Sequence, residues 1–338
     1  MREARLWKPL SDHKVQCRLC AHFCVIDEGQ RGRCGVRENH GGCLETQVYG
    51  RVAALNLDPV EKKPLFHYKP GTTTLSFATM GCNFACTFCQ NHSLSQPPRA
   101  GRPAQGRDMS PAQLVQAAVE HGADSISYTY SEPTVFFEFM QDTARLAHER
   151  GLGNIMVSNG FQSPECLAEL DGLIDAANID LKAFSEDFYR DQCGAHLKPV
   201  MDNLKRIRDM GWWLEVTTLV IPGLNDAEKE LAGIASFIAA DLGRDTPWHV
   251  SRFHPDYRLT DRGPTPVAVL ETAFRLGREA GLDYVYTGNV PGHDGENTRC
   301  PSCGEIVVGR RGFSILETNL KDGACARCGA AIAGIDMG

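Results

Sequence analysis

The 338-residue sequence has no apolar run long enough to span a membrane, which argues against an integral helical membrane protein. Its start, Met1-Arg2-Glu3-Ala4-Arg5-Leu6-Trp7, lacks the apolar core of a secretory signal, so a cytoplasmic protein is expected. An excess of basic charge is missing too. Against 42 Asp and Glu stand 35 Lys and Arg, a net charge of −7, which disfavours nucleic acid as a partner. No carboxylate pair or nucleophile triad stands out for acid–base or covalent catalysis. The length fits one large catalytic domain with small appendages.

Cysteine is abundant, with 14 residues. Without a secretory signal, that number points to thiols bound to metal in a reducing compartment and not to disulfides. Cys17, Cys20, Cys24, Cys34 and Cys43 crowd the first part of the chain, and Cys300, Cys303, Cys325 and Cys328 the last. Cys82, Cys86 and Cys89 lie between them. Cys166 and Cys193 stand alone and read as spectator thiols.

The central three occupy Gly81-Cys82-Asn83-Phe84-Ala85-Cys86-Thr87-Phe88-Cys89-Gln90-Asn91, just after a strand-like segment. Three thiolates are one short of a closed zinc or iron–sulfur shell, so a metal held here keeps a position for a ligand that is not protein. A structural knuckle borrowing a distant fourth cysteine is the other reading of the spacing. The C-x-x-x-C-x-x-C spacing, with Phe88 before the last cysteine, resembles the signature of radical S-adenosylmethionine (SAM) enzymes. The resemblance implies that Cys82, Cys86 and Cys89 hold three irons of a 4Fe–4S cluster whose fourth iron is chelated by SAM. One-electron cleavage of SAM then gives methionine and a 5′-deoxyadenosyl radical that abstracts hydrogen from a substrate. It also implies a one-electron donor such as flavodoxin or ferredoxin.

Between residues 74 and 288 strand-like and helix-like segments alternate, which predicts an α/β fold with a parallel sheet. Strands are expected at 75–79, 125–130, 154–158, 177–181, 213–220, 249–253 and 284–287, and helices at 111–121, 135–150, 163–170, 199–210, 226–240 and 265–280. Ser110-Pro111 and Ser163-Pro164 are helix-start signals. Alternation alone equally permits a doubly wound sheet. The resemblance implies a partial (β/α)6 TIM-like barrel, with functional groups at the C-terminal ends of its strands.

At the second strand end, Ser131 and Glu132 stand where radical SAM enzymes bind the SAM amino group, though this chain lacks the usual glycines. The plain alternative is a helix start, with Ser131 as cap and Glu132 favouring the dipole. At the third, Ser158 and Asn159 resemble the Thr and Asn of the Asp-Thr-Asn-Gly segment in glycyl-radical-enzyme activases, with Val157 replacing the Asp; an Asn-Gly turn without function is the alternative. At the fourth, alternation puts Asn178, Asp180 and Lys182 on one inward face; the segment resembles the Asp-Leu-Lys of activases, which implies Asp180 and Lys182 as ligands of the zwitterionic end of SAM or of the substrate, with an internal ion pair as the alternative. Asp226 is expected to cap the helix after the fifth strand. His254, after the sixth, matches the activase position that contacts the nucleoside.

Cys300, Cys303, Cys325 and Cys328 form two C-x-x-C-G knuckles joined by a segment expected to pair as a hairpin through 306–308 and 312–316, a zinc-ribbon-like site for zinc or a single iron. Cys17, Cys20, Cys24 and Cys34 are candidates for a second zinc or an auxiliary 4Fe–4S cluster, with Cys43 left over. Domains are expected at 1–70, 71–290 and 291–338. The segments GCNFACTFCQN, TYSEPT, NIDLKAF, VIPGLND, SRFHPDY and YVYTGNVPG, with both cysteine-rich ends, resemble the radical SAM component of the AmmeMemoRadiSam system. Those proteins are related to pyruvate formate-lyase activating enzymes and are grouped with Memo-like and AMMECR-like partners. The resemblance implies a radical SAM enzyme with an unidentified substrate, or an activase acting on a partner protein. A metal-stabilised RNA- or protein-binding module without turnover is the rival from another class.

Overall fold

Seven of the apolar runs after residue 72 become parallel strands of one eight-stranded sheet in the computed structural model, which describes residues 2–290, 292 and 294–338. Pro291, the expected last domain boundary, lies outside the described residues, as does Met1. The strands are β1 (Ala54–Pro59), β2 (Thr73–Ala78), β3 (Ser125–Tyr128), β4 (Gly153–Ser158), β5 (Ala176–Asp180), β6 (Trp213–Val220), β7 (Trp248–Arg252) and β8 (Val285–Gly288). From β2 to β8 each strand pairs in parallel with the next in chain order, while β1 is an antiparallel edge on β2. The order never reverses, so right-handed crossovers put the connecting helices on one face. The doubly wound alternative is thereby excluded.

Six helices of the βα units match the expected ones: α1 (Pro111–Glu120), α2 (Phe137–Glu149), α3 (Pro164–Ala168), α4 (Leu197–Asp209), α5 (Glu228–Phe237) and α6 (Val267–Glu279). Ser110 forms a reciprocal capping box with Gln113, and the Ser163 side chain accepts from the Cys166 N–H. Asp226 does otherwise than expected. Its carboxylate closes the preceding turn on the Gly223 N–H at 2.8 Å, and Ala227 stands at the helix N-cap.

β1 belongs to the sheet although the sequence reading left it in a 1–70 leader. Its pattern is inverted: Leu57 is exposed, while Asp58 is buried against Lys63 at 2.6 Å and Lys62 at 2.9 Å. An apolar residue outside and an ion pair inside defeat a reading based on hydrophobic alternation. No described helix is long and apolar enough to cross a membrane.

Strand register puts Asn178, Glu215, His249 and Tyr286 on one face of the sheet. The backbone of residues 64–67 lies across it: the Asn178 amide donates to the Pro64 carbonyl, and the Phe66 and His67 N–H groups donate to Glu215 at 3.0 and 2.8 Å. Glu215 is fully buried and also accepts from Trp213 Nε1, with His249 Nε2 at 2.6 Å. His67 then joins the end of the chain to the sheet. Its Nδ1 donates to the Ala333 carbonyl at 2.6 Å, so the neutral ring accepts at Nε2 from the Tyr286 hydroxyl.

Burial holds the His67 imidazole down at about 4. Between that value and the unfolded one the folded state binds fewer protons, so stability falls as pH drops. A loss of up to about 3 kcal/mol is expected from roughly pH 6.5 toward pH 4. Urea midpoints measured across this window should show it, and His67→Gln should flatten the dependence while lowering stability at neutral pH.

Candidate active site

The three-thiol loop leaves β2 through Gly81, whose φ of +111° suits glycine and whose added Cβ would stand 2.8 Å from Val36 Cγ1. Backbone bonds then pin the loop from across the fold. The Ala85 and Thr87 N–H groups donate to the Cys193 and Gln192 carbonyls at 2.8 and 2.9 Å, and the Arg258 N–H donates to the Thr87 carbonyl. Thiols receive donors as well. The Phe84 N–H points to Cys82 Sγ at 3.3 Å, and the Ser95 hydroxyl lies 3.2 Å from Cys89 Sγ. Phe84 packs edge-on to Phe161, and Phe88 is buried beside Phe188.

Ser158 and Asn159 meet this loop. The Asn159 amide donates to Asn83 Oδ1 at 2.7 Å and lies 3.9 Å from Cys82 Sγ. Glu132 is buried and ties β3 to β4: Oε1 accepts from Thr134 N–H, Thr134 hydroxyl and Ser158 hydroxyl, and Oε2 from the Asn159 N–H. Glu132, and not Ser131, caps the turn Pro133–Phe136; the Ser131 hydroxyl donates to the Thr79 carbonyl at 2.7 Å. The carboxylate is thus bound chiefly to the protein.

Asp180 and Lys182 form an ion pair at 2.7 Å, with side chains 35% and 14% exposed. Burial works against the lysine cation, but Asp180 and the Cys86 and Cys193 thiols outweigh it and push its pKa well up. Lys182 Nζ also stands 6.0 Å from the Phe88 ring, so the pair reaches the cysteine loop. His254 is exposed on the loop after β7. Sequence reasoning missed Cys193. It is buried, and its thiol is the foremost cause that lowers Cys86 below its ordinary value. Only the fold brings residue 193 beside residue 86.

Among the described residues, one set of three or more metal-ligating side chains has all its ligand atoms within 4.8 Å: Cys300, Cys303, Cys325 and Cys328. The three loop thiols do not form such a compact set. The sequence profile of the Radical SAM superfamily matches residues 77–234. An uncharacterized protein of Methanocaldococcus jannaschii is 47% identical over 334 residues, 98% of this chain and 99% of its own. The chain belongs to the radical SAM superfamily. It is homologous to a putative glycyl-radical enzyme activating enzyme of the same organism, 25% identical over 183 residues, 53% of this chain and 67% of the relative. A radical SAM methyltransferase of Sphaerobacter thermophilus shares the fold, with a TM-score of 0.50 at 16% identity, covering 65% of this chain and 67% of that one.

Membership implies a 4Fe–4S cluster and SAM, and the loop thiols, one buried and two partly buried with donors in place, fit such a cluster. The C-terminal thiols fit one ion. A Zn–S bond of about 2.3 Å sets tetrahedral sulfurs about 3.8 Å apart, and Cys300–Cys328 and Cys303–Cys325 lie at 3.6 and 3.7 Å. The expected hairpin is present but with longer, shifted arms: Ile306–Arg311 pairs with Ser314–Thr318, and Gly312 and Phe313, expected in the second strand, form the turn. Cys300 and Cys325 pack with Phe66, Tyr284 and Tyr286, so the knuckles cover one end of the sheet. Replacing Cys303 and Cys325 together by Ser should remove a single ion per chain and lower the melting midpoint, while iron on the central loop stays; elemental analysis and thermal melts check both.

Proposed function

We propose that Cys82, Cys86 and Cys89 ligate the cluster, that Asp180 and Lys182 hold the zwitterionic end of SAM, and that the product is a hydrogen-abstracting 5′-deoxyadenosyl radical. The observation that carries this is the ion pair beside the three-thiol loop at the C-terminal end of β5, half open while the polar groups deeper in the sheet are sealed. Bound together, cluster and SAM supply the one-electron cleavage. The chain orients and shields. Asn159 fixes Asn83 beside Cys82, Lys182 stays cationic for a carboxylate, Asp180 accepts from an ammonium, and Phe84 and Phe88 exclude water. Ser131, Ser158, Asn159 and Glu132 are proposed as further contacts of SAM, and His254 as a contact of its nucleoside. The one-way sheet supports the partial (β/α)6 barrel.

The hydrogen donor is an unidentified substrate in this proposal. Likeness to an activating enzyme favours a partner protein as the second reading, with a glycine as the abstraction site. Assignment to the AmmeMemoRadiSam group, in a cytoplasmic setting with Memo-like and AMMECR-like partners and a flavodoxin or ferredoxin donor, rests on the motifs already quoted.

Anaerobically reconstituted protein given reductant and SAM should form 5′-deoxyadenosine, and Cys86→Ala should abolish it. A fully loaded cluster that never cleaves SAM leaves a binding module as the better account. Asp180→Ala and Lys182→Ala should each weaken SAM binding about 10- to 100-fold, the loss of one charged hydrogen bond, at unchanged cluster content. Calorimetric titration reads this directly.

A further inference from the structure

Cys17 ends the short strand Val15–Cys17, and Cys20, Cys24 and Cys34 lie in the segments that follow it, yet all four line one enclosed cavity, together with Arg37 and Asn83. Cys43 is not among its lining residues; it sits on a hairpin strand opposite His40. The four thiols are not packed for a single ion. No three of them have sulfurs all within 4.8 Å, whereas the C-terminal knuckles meet that limit with four. One zinc holds its sulfurs about 3.8 Å apart; a four-iron cube, with a thiolate on each iron, holds them farther apart.

One of the four sulfurs has a charged donor in place. Arg37 Nη1 lies 3.6 Å from Cys17 Sγ. Arg37 is 1% exposed and pairs with the equally buried Glu138, while its Nε has no hydrogen-bond partner. A sealed guanidinium facing thiols suits a site that carries negative charge. The sequence left zinc and iron–sulfur equally open here, and the spacing separates them.

We infer that Cys17, Cys20, Cys24 and Cys34 hold a second 4Fe–4S cluster, fully ligated by the protein. With no iron left open it has no corner for a substrate, and one-electron exchange is the chemistry left to it. Its surroundings meet the active-site loop: His22 Nε2 lies 2.9 Å from the Asn83 carbonyl, next to Cys82. An electron from a reduced donor of the flavodoxin or ferredoxin class enters this cluster and leaves it toward that loop, so the cluster returns to its starting state with no net proton or atom moved. Only this relay role rests on the proposed SAM chemistry; the metal assignment does not.

Metal analysis of anaerobically reconstituted full-length protein decides the assignment. About eight irons per chain are expected beyond the single C-terminal ion. The variant with Cys82, Cys86 and Cys89 all changed to Ala should keep about four irons and a cluster absorption band while losing SAM cleavage. Cys20→Ala with Cys24→Ala should also keep about four, now with an electron paramagnetic resonance signal that SAM perturbs. About four irons in the wild-type protein, with an extra zinc or no metal on the N-terminal thiols, overturns the inference even if either variant fails to fold. Wild-type protein with eight irons and no SAM cleavage keeps the second cluster and sinks the proposed function instead.

Discussion

The Cys82–Cys89 loop keeps its shape only because distant parts of the chain hold its backbone. Ala85 and Thr87 donate to residues 193 and 192, Asn83 is bracketed by Asn159 and His22, and Arg258 donates to Thr87. A free peptide of this length has many conformations, and fixing each residue costs about 1–2 kcal/mol of entropy. The fold meets that cost before a metal arrives, so metal affinity is not used up in ordering the loop. The helix–strand connections, the turn Tyr189–Cys193 and the docked N-terminal region all matter because they place these partners.

Inward-facing charge on the sheet has two fates. Deep in the sheet, Glu215 is met by four donors and seals against residues 66–67, which makes it a fastening for the C-terminal knuckles. At the strand ends, Asp180 and Lys182 have mainly each other and keep access to solvent. Both arrangements satisfy the rule that a buried charge needs a partner. Only the second leaves capacity for a ligand, so the proposed SAM site falls at one end of the strands and the structural polar network at the other.

Much of the frame was legible. The β6 strand begins at Trp213 and ends at Val220 as its apolar run predicts, and the Ser-Pro starts of α1 and α3 are where the pattern put them. β1 was not legible because it faces Leu57 outward and buries Asp58. Ser131 looked like the cap, but a hydroxyl beside a free carbonyl and a carboxylate one residue on compete for the same N–H, and local sequence does not rank them. Cys193 looked like a spectator because nothing in the neighbouring residues foretells a partner 107 positions away in the chain.

The sequence by itself determined the reaction class, since three thiols at that spacing and an aromatic residue between them are a local pattern that no tertiary contact can create or erase. It also determined the parallel alternation, because a strand or a helix is chosen mainly by the period of its own apolar residues. Tertiary structure alone decided how far apart the thiols of each group stand, and with that which group is compact enough for one ion. Distance across a fold depends on the packing of every element between two residues, and spacing along the chain carries no record of it.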